Sequence, residues 1–130
     1  MHKINSYNEL SIWQKSVELV SEMYKITERF PKEGTCGIVT QINQTSVSIP
    51  ANIAEGWGNE TSKGYLNFLK KARRDVMELE RLVIMSQKMD LVDRNDFMKM
   101  IYKITETNQL LNAVINKRKA GGGSFNASIN

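Results

Sequence analysis

Between Tyr65 and Val83 the apolar positions are Tyr65, Leu69, Ala72, Val76, Leu79 and Val83. Steps of four and three keep these side chains on one side of an α-helix, whose turn takes about 3.6 residues. A strand would alternate at every second residue, and no such alternation competes. A seam this regular is the pattern of bundle packing, so the chain needs further helices to cover it.

Three other segments supply them. The first opens at Ser11, which makes a capping-box pattern with Gln14. It carries one row of Trp13, Val17, Val20, Tyr24 and Thr27, and beside it a second row of Ile12, Ser16, Leu19, Met23, Ile26 and Phe30. Together the rows are wider than one core requires, so the second is read either as a thick core or as a subunit contact. Pro31, Gly34 and Gly37 then end the helix. The second helix is expected over 37–55, with Ile38, Ile42, Thr45, Ile49 and Asn52 in its seam. The third runs from near Ser62 to Met89; the fourth follows Asp93, with Phe97, Ile101, Ile104, Asn108, Leu111 and Ile115 inward. Links at 31–36, 56–61 and 90–92 are short, which predicts an all-α, antiparallel up-down-up-down four-helix bundle. Residues 1–119 form this domain, and the glycine-rich 120–130 reads as a flexible C-terminal tail.

Inside the second helix, Ser48-Ile-Pro50-Ala-Asn52-Ile-Ala-Glu55-Gly56-Trp-Gly58 is unusual. Pro50 has no amide to donate and frees the carbonyl of Ser46. Ser48, Asn52 and Glu55 are expected to satisfy backbone groups around that kink, with Gly56 ending the helix. The rival reading makes them the lining of a pocket or subunit contact.

Catalytic chemistry finds few residues to work with. His2 is the one histidine, Cys36 the one cysteine, and neither H-E-x-x-H nor a glycine-rich phosphate loop after a strand occurs. Glu78 and Glu80 point about 200° apart on a helix, so they do not act as a pair. No catalytic, cofactor or metal residue is assigned and no cofactor is expected. Without a signal-type N-terminus or a long apolar run, a cytoplasmic location is expected. A net charge of +4 and pI near 9.2 suit an anionic partner. Lys70, Lys71, Arg73 and Arg74 are the candidates for phosphate contact, with support from Lys63 and from Lys117-Arg118-Lys119. Against that stands a solvated helix face neutralised by the pairs Lys71–Asp75, Arg74–Glu78 and Glu78–Arg81.

Leu10-x-x-Trp13-Gln14-Lys15, Phe30-Pro31, Gln41-Ile42, Ser48-Ile49-Pro50, Asn52-Ile53-Ala54-Glu55-Gly56 and Glu78-Leu79-Glu80 occur together and in order. In these the chain resembles the bacterial 23S rRNA intervening-sequence proteins, also called S23-type ribosomal proteins, over about 7–89 and more loosely in the fourth helix. The resemblance implies a four-helix bundle assembling as a homopentamer. The accessory variability determinant proteins of diversity-generating retroelements are similar, which implies RNA or DNA and a reverse transcriptase as classes of partner. Where that family usually has arginine, this chain has Gln44; where it often has a basic residue, Asn59; where it has Gly-Ser, Arg74-Asp75. Arg74 is therefore expected to pair with Glu55 or Glu78. The function expected is a non-catalytic, nucleic-acid-associated oligomer of the family. The alternative is a protein-partner scaffold whose basic residues form inter-subunit ion pairs.

Overall fold

The structure, a computed structural model, describes residues 6–59 and 61–120. After a single 3-10 turn at Tyr7–Glu9 come four helices: α1 Ser11–Thr27, α2 Cys36–Trp57, α3 Ser62–Lys88 and α4 Arg94–Ala120. No strand occurs among the described residues. Side-chain pairs fix the directions. Lys15 meets Glu106 and Arg29 meets Asp96, so numbers fall along α4 as they rise along α1. Asn52 with Asp75 and Trp57 with Tyr65 reverse α2 against α3 in the same way. Each helix packs on its two chain neighbours, α1 closing on α4, while the diagonal pairs stay apart. The tail expected over 120–130 lies outside the described residues, apart from Ala120 at the end of α4.

The α3 seam is buried as the spacing predicts, from Tyr65 to Val83. In α1 the second row is the core: Ile12, Ser16, Leu19, Met23, Ile26 and Phe30 are all buried. Val17 and Tyr24, from the first row, remain exposed, so any subunit contact through α1 belongs to them. In α2 the inward face is Ile42, Ser46, Ile49, Ile53 and Gly56, with Thr45 and Asn52 at its margin. Each fully buried Leu or Ile contributes about 1.5–3 kcal/mol. Small hydroxyl residues enter this core because each bonds its own helix: Ser16 to the Trp13 carbonyl, Ser46 to Asn43, Ser86 to Leu82 and Thr107 to Lys103.

The helix ends differ from expectation in places. Ser11 lies inside α1 and caps nothing; Gln14 instead donates to the Asn8 carbonyl at 2.9 Å, tying the helix to the preceding turn. Thr61, not Ser62, caps α3 by accepting from the Gly64 amide at 2.9 Å. At the other end of α3, Asp90 takes a left-handed φ of 57°. The Asp90 amide then bonds the Gln87 carbonyl and the Leu91 amide the Ser86 carbonyl, a Schellman closure.

Gly56 does not end α2, which continues to Trp57. A Cβ built on it would lie 2.6 Å from the Phe68 Cβ and 3.1 Å from Tyr65 Cδ1. The residue is glycine because α2 and α3 touch there. At Gly37 a Cβ would meet nothing within 4 Å. Gly56→Ala therefore introduces overpacking of about 1–3 kcal/mol, which outweighs a helix-propensity gain near 1 kcal/mol. Gly37→Ala keeps the gain alone and stabilises. Urea midpoints moving in opposite directions for the two variants are the expected result.

At the opposite end of the bundle, Arg29 holds Asp96 through two bonds of 2.8 and 2.9 Å. The hydrogen bonds from Arg29 lower the carboxyl below its ordinary 3.8. A depressed carboxylate stabilises the fold above its unfolded pKa, and that contribution is lost as pH falls through the folded value. Arg29→Met should thus destabilise at neutral pH and less so below about pH 3, a difference that urea melts at both pH values would register.

Candidate nucleic-acid interface

Ser48, Pro50, Asn52, Glu55 and Gly56 are a packing device more than a repaired kink. Ser48 Oγ donates to the Thr45 carbonyl at 2.6 Å, and Pro50 is buried within an unbroken helix. Asn52 repairs no backbone group; its amide donates to Asp75 Oδ2 on α3 at 2.7 Å. Glu55 is exposed. One turn separates Asn52 from Gly56, so the bond and the close approach fall on the same edge of α2.

That bond changes how the basic run is paired, although Asp75 keeps its negative charge because Asn52 is neutral. Asp75, expected beside Lys71, is engaged by Asn52. Glu78 accepts from Arg81 at 2.9 Å. Of the three local pairs expected on α3, only Glu78–Arg81 forms. Arg74 is exposed and pairs with neither Glu55 nor Glu78, so the compensating role expected of it is not observed.

Four basic residues on a helix cannot share one face. Arg73 is half-buried and turned to α4, where its Nη1 donates to Asn112 Oδ1 at 3.2 Å. Lys71, about 200° round the helix from Arg73, lies with its Nζ 4.4 Å from the centre of the Phe68 ring. Lys70 and Arg74 point outward between them. The carboxyl-terminal part of α4 runs beside this half of α3, so Lys117, Arg118 and Lys119 are brought to the same end of the bundle.

Arg118 is placed apart from the others. It is buried, 4% exposed, with its guanidinium 4.9 Å over the Tyr65 ring. Trp57 meets the same ring edge-on at 5.5 Å. Burial pushes the Tyr65 hydroxyl up to about 12, so it stays neutral. Burial also lowers Arg118, yet a guanidinium keeps its proton. Arg118 thus packs α4 onto α3 through the Tyr65 ring. Its charge argues for the surface, and its place in the α4 stripe, three after Ile115 and seven after Leu111, is the one signal of burial in the spacing.

Among the described residues, no group of three His, Cys, Asp or Glu side chains is arranged to hold a metal ion. No helix is long and apolar enough to cross a membrane.

The 23S rRNA-intervening sequence protein family matches this chain over residues 8–113. The chain belongs to that family. A crystal structure from the S23 ribosomal protein family of Bacteroides thetaiotaomicron, a protein with unknown function, has the same fold. It is 23% identical, covers 80% of this chain and 97% of its own, and superposes with a TM-score of 0.74. A search of curated proteins finds no match. Family membership extends the likeness through most of α4, beyond the stretch in which the sequence motifs are concentrated.

Proposed function

We propose that this protein is a non-catalytic, oligomeric helical module that associates with nucleic acid through phosphate contacts from Lys70, Lys71, Arg73 and Arg74. The observation that carries the reading is charge of one sign. From Thr61 to Arg74 and from Thr107 to Ala120 the chain has eight Lys and Arg and no Asp or Glu. Of the next acids on α3, Asp75 is turned to Asn52 on the α2 side and keeps its charge, while Glu78 is paired with Arg81. Such a field attracts polyanions and releases their counterions on binding.

Assembly is the second part of the reading. The four sides of the bundle alternate in character. Lys15, Glu18, Lys103 and Glu106 link α1 to α4, and Asn52–Asp75 links α2 to α3. On the α1–α2 side, Val17, Tyr24 and Val47 are exposed. Across the bundle, Met77, Ile84, Met98 and Tyr102 are exposed on α3 and α4. A two-fold dimer covers one such face and leaves the other wet. A head-to-tail ring covers both, and the homopentamer is the ring we favour.

Two measurements test these claims. Affinity for a nucleic acid should fall linearly with salt on logarithmic axes, and alanine at the four basic positions should flatten the line by about 0.9 per lost duplex phosphate contact. Binding equal at low and high salt would sink the nucleic-acid reading. If the same four-alanine variant instead loses its oligomer, the cations serve subunit pairing and the scaffold reading replaces it. For the ring, light scattering should give about five times the 14.9 kDa chain mass. Val17→Glu and Met77→Glu should each yield monomers, and mixing them should yield one-to-one dimers, since each keeps the face that the other lost. A mixture that stays monomeric would rule out head-to-tail contact through these faces.

A further inference from the structure

Lys63 precedes Lys70 by seven residues, which places both on the same shoulder of α3. Arg73, on the α4 side of that shoulder, reaches Asn112 across the groove between the helices. On α4, Lys119 follows Asn112 by seven and Asn116 by three, so these side chains line the opposite bank. Asn112 accepts from Arg73 through its oxygen, which leaves its amide hydrogens for another acceptor. Among the described residues, no carboxylate belongs to either bank along this stretch; the first is Glu80, at a cavity of about 160 Å³ farther down the groove beside Asn108 and Met77. Glu55 on α2 and the Lys71–Phe68 pair lie round the other side of α3.

Aromatic character decides between forms of nucleic acid. Tyr65 is buried and Phe68 is half-buried beneath Lys71. Neither offers an open ring face on which an unpaired base would stack, whereas cations and amides suffice for phosphates. From Lys63 to Arg74 the helix rises roughly 16 Å, a length along which a duplex presents about nine phosphates.

We infer that the α3–α4 groove, with Lys63 and Lys119 as its outer cations, seats the phosphate backbone of a double-helical nucleic acid. The inference rests on the nucleic-acid reading above and adds the place, two residues and the form of the ligand. Binding is then independent of sequence, because nothing in the groove reaches base edges.

Fluorescence anisotropy of the full chain with a random-sequence duplex of about 20 base pairs, and with one of its strands, tests it. Lys63→Ala/Lys119→Ala should weaken duplex binding about tenfold at roughly 0.1 M salt and reduce the salt slope by about 1.8. Lys32→Ala, in the α1–α2 link at the opposite end of the bundle, should remain within about twofold of the parent. The groove is overturned if the double variant binds like the parent while Lys70→Ala/Arg74→Ala does not, an outcome that leaves the broader reading intact. Tighter binding of the single strand than of the duplex would equally overturn it. Failure of the unmodified chain to bind either probe would remove both claims together.

Discussion

The approach of α2 to α3 at Gly56 is the constraint on which the rest of the molecule depends. With Phe68 Cβ only 2.6 Å from where a Cβ would stand, no larger residue fits without moving a helix. Asn52 adds its bond to Asp75 one turn away, setting register as well as distance. With α3 fixed there, Tyr65 sits between Trp57 and Arg118, so the same contact carries through to α4. Phe68, pressed against Gly56, in turn supports Lys71. Packing and charge are coupled at this end because the same short stretch of α3 supplies both.

The two kinds of bundle side have different physical roles. Ion pairs on the α1–α4 side are partly exposed and add little stability, yet their charges disfavour burial against another copy. The apolar sides are where burial is favourable. Because a ring repeats one orientation, it would bring the basic end of every protomer to the same rim. A polyanion would then meet several clusters at once, and the effective concentration of the second contact would exceed that of the first.

Much of the fold was legible from spacing, and the failures have a common cause. Every residue of the expected α3 seam is buried, with Leu82 and Ser86 added to it, because the outward face is polar from Lys63 to Arg74 and the four-three stripe is unbroken. In α1 two adjacent apolar rows lie about 100° apart, and periodicity alone does not say which faces inward. In α2 the small residues Ser46 and Gly56 belong to the core, but hydropathy scores them as surface or turn. Hydropathy consequently draws the seam through Thr45 and Asn52. Gly56 looks like a terminator in the sequence because glycine often is one; only the position of Phe68 reveals the steric reason. For the basic run, the residues were legible and their pairing was not. Local pairing rules assign Asp75 to Lys71, whereas a residue from another helix claims it.

The sequence by itself determined four helices, their order, their antiparallel packing through short links, and an excess of positive charge in the middle of the chain and near its end. These follow from periodicity, link length and ionisation, which are local properties. Tertiary structure decided which of two apolar rows became core, that Asn52 would occupy Asp75, and that Arg73 would meet Asn112 across the groove between α3 and α4. Such outcomes depend on distances between residues far apart in the chain, and those distances exist only once Gly56 has let α2 and α3 close.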